Sequence, residues 1–147
     1  MAARQPTIVV GIDGSEASLA ALRWAVAEAE LRGDEVRAVY AWRRPLTTGF
    51  GHAPTPLRVP ADTLREEAES RLASFVSEIA RDAAGVSVGQ VAEEGVAADV
   101  LVEASRDAEL LVLGSRGLGR VGSALLGSVS RRCAREAACS VVIVRGR

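Results

Sequence analysis

The sequence has no lysine, and aromatic residues make up only 3% of it. Without lysine the chain cannot form a Schiff base, bind pyridoxal phosphate covalently, or supply the lysine of a Walker A motif or a protein kinase. Eighteen arginines face nineteen acidic residues, so the net charge is only −1. This balance lacks the basic excess of nucleic-acid-binding proteins, and few rings are available for base stacking. We expect neither nucleic acid nor a membrane surface as a partner.

Cysteine and histidine are also scarce. Cys133, Cys139 and His52 supply neither a disulfide framework nor a zinc-binding set, and a single histidine argues against a Ser-His-Asp or Cys-His catalytic centre. Both cysteines are expected to be partly buried small side chains. No apolar run approaches the ~18 residues of a membrane span, and the apolar stretch 8–10 is too short for the core of a signal peptide. The sequence therefore predicts a cytoplasmic protein.

Short β-branched runs alternate with helical patterns along the chain. The predicted strands cover residues 7–12, 36–42, 86–92, 109–113 and 140–145, and the predicted helices cover 16–31, 61–83, 97–106 and 127–138. Ser15 is the expected N-cap of the first helix, and Gly33 is its expected stop. This alternation predicts a single α/β domain over residues 1–147, with an open parallel five-stranded sheet covered by helices on both faces.

Two strand orders are common for such a sheet, 2-1-3-4-5 and 3-2-1-4-5, and they place the ligand-binding crevice differently. In the first order the crevice follows strands one and three, and in the second it follows strands one and four. The loop after strand three, Glu93-Glu94-Gly95, has no distinctive chemistry. The loops after strands one and four contain Asp13-Gly14-Ser15 and a glycine-rich run that begins at Gly114. We therefore predict the order 3-2-1-4-5, which brings Asp13 and Gly114 into one crevice.

The connection 43–60 is unusually long and contains four of the five prolines. A connection of this length in a compact domain is typically a mobile surface insertion, a binding loop or a lid. Because it starts at the carboxyl end of the second strand, one hypothesis is that it folds over a bound ligand. The alternative is a proline-rich surface insertion with no role in binding.

The run 114–130 is shaped for close contact between the main chain and a ligand. Glycine permits positive φ and close approach, so successive N–H groups can turn toward an anion. The helix that follows offers unpaired N–H groups at its N-terminus. Ser128 and Ser130 add hydroxyls that can either cap this helix or bind a phosphate oxygen.

Three glycine motifs must be distinguished in this run. Gly117-Leu-Gly-Arg-Val-Gly122 matches GxGxxG, but it lies outside the first βαβ unit, and no acidic residue ends a strand about twenty positions later. The stretch from Gly122 to Gly127-Ser128 matches a Walker A motif without its lysine. The remaining match is G-x2-G-x9-G-S, formed by Gly114, Gly117, Gly127 and Ser128.

This spacing resembles the signature of the ATP-binding branch of the universal stress protein family. The runs 8–15, 108–117, 126–130 and 139–144 are similar to the family's first strand and turn, fourth strand, final helix start and last strand. The resemblance implies a Rossmann-like, adenine nucleotide alpha hydrolase-like fold with the order 3-2-1-4-5, and a homodimer formed through the C-terminal strand 140–145. That strand is also a predicted sheet edge with apolar residues on both faces, which favours pairing.

The resemblance further implies an ATP site, with Mg²⁺ as a second candidate cofactor. The implied binding residues are Gly11, Asp13, Gly14, Ser15 and Ala41 on the adenosine side, Gly114, Ser115, Arg116, Gly117, Gly119 and Arg120 around the ribose and phosphates, and Gly127, Ser128, Val129 and Ser130 at the helix start. Asp13 would hold Mg²⁺ or a ribose hydroxyl, although an Asp-Gly-Ser turn can also serve only to start a helix. Arg116 and Arg120 would pair with phosphate, unless they are solvated loop arginines.

The sequence favours binding over turnover. A nucleotide hydrolase needs a water-positioning base, a cation and usually a metal, and no second carboxylate lies at a suitable spacing. We therefore predict an ATP-binding, nucleotide-dependent regulator of a stress response with slow or no hydrolysis. The alternatives are a low-turnover ATPase or nucleotidyl-transfer enzyme, and a dimeric interaction protein that binds no nucleotide. The intact glycine spacing argues against the last.

Overall fold

Strand β1 lies at the centre of a parallel sheet in the computed structural model of this chain. The structure describes residues 6–47, 51, 53, 55–56, 58–83, 85–117 and 125–146. In chain order the strands are β1 (Thr7–Ile12), β2 (Glu35–Trp42), β3 (Leu46–Thr47), β4 (Thr55–Pro56), β5 (Val88–Glu94), β6 (Leu110–Gly114) and β7 (Ser140–Val144). The sheet order is β5-β2-β1-β6-β7, and β3 and β4 form a separate antiparallel ribbon. Counted along the five strands of the sheet this is 3-2-1-4-5, so the predicted order is confirmed.

Helices cover both faces of the sheet, as predicted. They are α1 (Glu16–Arg32), α2 (Ala61–Ala80), α3 (Ala97–Ala104), which continues into a 3₁₀ turn over Ser105–Asp107, and α4 (Ser128–Glu136). Side chains of α1 and α2 pack with Ile8 and Val10 on one face, whereas those of α3 and α4 pack with Val9 and Leu111 on the other. Because side chains alternate along a strand, β1 contributes side chains to the apolar clusters on both faces of the sheet and is almost fully buried.

Helix α1 begins and ends where the sequence predicts. The Ser15 hydroxyl accepts a hydrogen bond from the Ser18 N–H at 3.2 Å, which caps the first turn. Gly33 adopts a left-handed φ of +78° and donates its N–H to the Ala29 carbonyl at 2.8 Å. The cap at Ser15 fixes the first turn of α1 directly beside the carboxyl end of β1.

The segment 43–60 contains more structure than a loop. Leu46 pairs with Pro56 in the antiparallel ribbon, and the Arg44 guanidinium lies 2.9 Å from a Glu94 carboxylate oxygen at the end of β5. Positions 48–50, 52, 54 and 57, which include His52, lie outside the described residues. Whether the segment folds over a ligand stays a prediction.

Some element ends differ from the predicted ones. Helix α2 stops at Ala80, three residues early, because the Ala83 N–H bonds the Ala80 carbonyl in a tight turn. Strand β5 starts at Val88 and continues to Glu94, since it pairs with β2 as far as Trp42. Within the described ranges, the structure contains no helix that is both long and apolar enough to cross a membrane.

Candidate functional site

A cavity of about 370 Å³ opens at the carboxyl edge of the sheet, where β1 and β6 lie side by side. Parallel sheets bind ligands where the strand order reverses, and volumes of this size are typical of small-molecule sites. Most of the predicted binding residues line it: Gly11, Asp13, Ser15, Ala41, Gly114, Arg116, Gly117, Gly127, Ser128, Val129 and Ser130. The structure thus brings together segments that lie about a hundred positions apart in the sequence.

Two predicted residues do not line the cavity. Gly14 has a left-handed φ of +84°, and a Cβ there would lie 2.7 Å from the Phe75 ring, so this residue faces α2. Ser115 is buried, and its main chain is used within the protein: its N–H donates to the Val144 carbonyl at 2.8 Å, and its carbonyl accepts from the Gly127 N–H at 2.9 Å. Gly119 and Arg120 lie outside the described residues.

One wall of the cavity is apolar and was not predicted. The apolar residues that line it are Ile12, Val39, Ala97, Leu101 and Leu113, and Ser18 also contributes to the lining. Strand periodicity could have indicated Val39, because it lies two residues from Ala41 and pairs with Gly11 across β1 and β2. Leu101 reaches the cavity from α3 only through tertiary packing, for which the sequence carries no local signal.

Asp13 is fixed by the turn that leads into α1. Its Oδ1 accepts hydrogen bonds from the Ser15 N–H at 2.9 Å and from the Ser15 hydroxyl at 2.5 Å. This is the side-chain turn typical of Asp before a helix. A Cβ on Gly117 would lie 2.5 Å from Asp13 Oδ2, so the carboxylate lies directly against the start of the glycine-rich run. Asp13 therefore both forms the turn that starts α1 and lines the crevice, as each of the two predictions required.

The N-terminus of α4 forms the polar end of the cavity. Gly127 is the N-cap residue and offers no side chain to the unpaired N–H groups of the first turn. Ser128 is exposed, and among the described residues its hydroxyl makes no hydrogen bond within the protein. Ser130 is 5% exposed, and its hydroxyl donates to the Gly114 carbonyl at 2.6 Å. Uncapped N–H groups and a free hydroxyl at one helix end are suited to an anion.

The motif glycines have different neighbours. A Cβ on Gly114 would lie 2.6 Å from the Ala17 main-chain carbon and 2.8 Å from the Ser18 nitrogen, so Gly114 lets β6 end directly against α1. A Cβ on Gly127 would make only ordinary contacts, the nearest at 3.5 Å to Arg116 Cα. Gly114 is therefore required by packing within the protein, whereas a Cβ at Gly127 would make only ordinary contacts with the residues that the structure describes.

Few side chains bring charge to the cavity. In the part of the chain that the structure describes, Asp13 is the one carboxylate and Arg116 the one basic group in the lining, and no three potential metal ligands cluster. Cys133 does not line the cavity. Burial raises the pKa of its thiol to about 11, which disfavours the reactive thiolate at neutral pH.

This is a doubly wound α/β fold, in which ligands bind in the crevice at the carboxyl ends of the strands. The family model for the universal stress protein family matches residues 6–145. The chain belongs to this family.

Several known proteins are similar to the chain. Universal stress protein Rv2624c of Mycobacterium tuberculosis (strain ATCC 25618 / H37Rv) is 38% identical over 143 residues, which cover 96% of this chain and 48% of that protein. The chain spans about half the length of the curated relatives it matches. Universal stress protein UspA from Lactobacillus plantarum superposes with a TM-score of 0.75 at 20% identity, covering 97% of this chain and 99% of that one. A crystal structure of a universal stress protein in complex with cAMP has a TM-score of 0.69 at 28% identity, covering 99% of this chain and all of that one.

Proposed function

We propose that the cavity binds an adenine nucleotide, ATP in the first instance, and that the protein is a nucleotide-dependent regulator of a stress response. The observation that carries this proposal is that a single cavity has one polar end and one apolar end. The uncapped N-terminus of α4 and the Ser128 hydroxyl form one end, and the apolar wall at Val39 and Leu101 forms the other. A nucleotide has the same division, with charged phosphates at one end and a flat, largely apolar base at the other.

The base would lie against the apolar wall. Val39, Leu101 and Leu113 line this side, and the main chain of Ala41, which also lines the cavity near the end of β2, would bond a base edge. The choice of adenine over another base is supported by the similar universal stress protein that was crystallised in complex with cAMP. Among the described residues, the apolar side chains of this wall carry no hydrogen-bonding group that could select one purine.

The phosphates would lie at the N-terminus of α4 and along the start of the glycine-rich run. Main-chain N–H groups at Ser128, Val129 and Ser130 would donate to phosphate oxygens, whereas the Gly127 N–H is already bonded to the Ser115 carbonyl, and Arg116 would supply positive charge. Mg²⁺ binds nucleotides through one or two carboxylates, phosphate oxygens and water, so Asp13 is the residue that would hold it. When bound, Mg²⁺ would neutralise part of the phosphate charge.

We expect slow or absent hydrolysis because the described lining of the cavity has a single carboxylate. Among the described lining residues Asp13 is the one carboxylate, and its Oδ1 already accepts two hydrogen bonds from Ser15. A residue that both held Mg²⁺ and activated water would have to serve two roles at once, whereas dedicated hydrolases use separate groups. We therefore place this protein among binding regulators, with a low-turnover ATPase as the second candidate. Residues 1–147 would act as one domain, and a cytoplasmic location stays a prediction of the sequence.

Native mass spectrometry of the protein as purified, followed by titration with ATP, ADP and cAMP, tests this proposal. We expect a 1:1 adduct with an adenine nucleotide and no conversion of bound ATP to ADP over an hour at 25 °C. Carry-over or accumulation of ADP would favour the ATPase. A protein that stays empty throughout all three titrations would refute nucleotide binding and leave the interaction-protein alternative.

A homodimer through β7 is the second part of the proposal. β7 lies at an edge of the sheet, and Val141, Val142, Ile143 and Val144 are all apolar. The Val144 carbonyl accepts a hydrogen bond from the Ser115 N–H next to β6, and peptide groups alternate in direction along a strand. The peptide groups of Val141 and Ile143 therefore face the open edge, where a second copy could pair with them.

A proline at the outward-facing position of β7 is expected to prevent this pairing. Ile143→Pro removes an N–H that points away from β6 and so leaves the β6–β7 ladder intact. Ile143→Ala is the matched control, because it shortens the same side chain and keeps the N–H. Sedimentation at micromolar concentration should find dimers for the unchanged chain and for Ile143→Ala, and monomers for Ile143→Pro. A dimeric, folded Ile143→Pro variant would exclude β7 as the interface.

A further inference from the structure

Two hydrogen bonds join the first turn of α4 to the end of β6. The Gly127 N–H donates to the Ser115 carbonyl at 2.9 Å, and the Ser130 hydroxyl donates to the Gly114 carbonyl at 2.6 Å. The two bonds connect adjacent residues of the β6 end to residues at the start and in the first turn of the helix. Together they fix both the position and the direction in which α4 begins.

The Ser130 hydroxyl is already used by the protein. A hydroxyl has one hydrogen to donate, and in Ser130 it is directed at Gly114 in a setting that leaves the residue only 5% exposed. Its contribution to a bound phosphate would therefore be indirect. Ser128, two residues earlier, is exposed and has its hydroxyl available, so the two serines of this turn have different roles.

The Gly114 carbonyl, to which Ser130 is bonded, belongs to a tightly packed part of the sheet. Gly114 packs directly against the Ala17 main chain of α1, and the adjacent Ser115 N–H donates to the Val144 carbonyl of β7 at 2.8 Å. The anchor is thus part of the packed sheet. A bond from this anchor to the first turn of α4 transmits the rigidity of the sheet to the unpaired N–H groups at the polar end of the cavity.

We propose that Ser130 is a positioning residue, which acts through the α4 N-terminus and holds the N–H groups of residues 128–130 in the orientation that binds phosphate. This inference rests on the proposed nucleotide function and adds a role that the motif G-x2-G-x9-G-S does not include. Without the bond, α4 can tilt away from β6, and part of the binding free energy is used to restore its orientation. The loss should fall on the phosphates and spare the base.

The test compares the dissociation constants of ATP and adenosine, measured by calorimetry, in matched variants. Ser130→Ala should weaken ATP binding about three- to tenfold, the range expected for one lost hydrogen bond, and should change adenosine binding less than about twofold. Ser130→Thr keeps the hydroxyl and should keep ATP binding within about twofold of the unchanged chain. If Ser130→Ala does not fold, Ser130→Cys, whose thiol is a weak donor, carries the same prediction.

Ser105→Ala is the control for general loosening. Ser105 is 1% exposed, and its hydroxyl donates to the Val102 carbonyl at 2.6 Å and accepts from the Ala138 N–H at 2.9 Å, away from the cavity lining. The Ser105→Ala variant should have a lower melting temperature and unchanged dissociation constants for ATP and adenosine. Equal weakening of ATP and adenosine in Ser130→Ala, or no weakening of ATP, would overturn the positioning role. An unchanged chain that binds no ATP would instead refute the proposed function.

Discussion

Replacing Gly127 with valine is expected to weaken ATP binding at least about 100-fold, which corresponds to about 2.7 kcal/mol. The main chain at Gly127 has φ −61° and ψ 160°, a conformation open to any residue. The new Cβ would lie 3.6 Å from the Ser115 carbonyl oxygen and 3.7 Å from the Gly117 nitrogen, both ordinary contacts. The fold should therefore tolerate the side chain, whose methyl groups would occupy the space between the glycine-rich run and α4.

A matched control separates this steric block from any general effect of valine. Gly89 lies on β5, outside the cavity lining, and a Cβ there would meet only the Val36 carbonyl oxygen at 3.7 Å. Gly89→Val should keep ATP affinity within about twofold of the unchanged chain, since no cavity contact changes. Calorimetric titration of both variants, with melting temperatures recorded in parallel, makes the comparison. A folded Gly127→Val variant that binds ATP normally would remove this end of the cavity from the phosphate site.

Replacing Gly114 with alanine is expected to act on stability, with or without nucleotide. Its Cβ would approach the Ala17 main-chain carbon to 2.6 Å and the Ser18 nitrogen to 2.8 Å, distances that force α1 to move. Overpacking of this kind costs about 2–3 kcal/mol. In a chain of this size such a loss lowers the melting temperature by roughly 6–12 °C.

Chemical denaturation of the ligand-free protein measures this effect directly. Gly127→Ala is the control, because the same methyl group there makes only ordinary contacts and should change the free energy of unfolding by less than about 0.5 kcal/mol. If Gly114→Ala were as stable as the unchanged chain, the close contact between β6 and α1 would not be the reason for glycine at this position.

The sheet order could be predicted from the sequence because two chemically distinctive loops had to share one edge. Asp13 follows β1 and Gly114 ends the adjacent β6, and of the two common doubly wound orders only 3-2-1-4-5 places those ends together. The start of α1 at Ser15 and its stop at Gly33 were also predictable, since capping is local chemistry that is written within a few residues.

The sequence could not predict which motif residues are needed for packing within the protein and which are available to a ligand. Gly114 and Gly127 look alike in the sequence, yet a Cβ at Gly114 would collide with the Ala17 main chain, whereas a Cβ at Gly127 would make only ordinary contacts. Ser128 and Ser130 look equally able to meet a phosphate, yet the Ser130 hydroxyl is already bonded to Gly114. A spacing motif shows that a residue type is needed at a position, but the neighbour that requires it comes from elsewhere in the chain and is known only once the chain is folded.

The polar end of the cavity is built largely from main-chain N–H groups at the start of α4. Such groups carry no titratable proton, and acetylation, phosphorylation or oxidation does not remove them. The main-chain part of such a site therefore keeps its binding groups whatever the chemical state of the side chains around it. If the cavity binds a nucleotide as proposed, the occupancy of this end would be set by the nucleotide concentration and by the geometry of the α4 N-terminus.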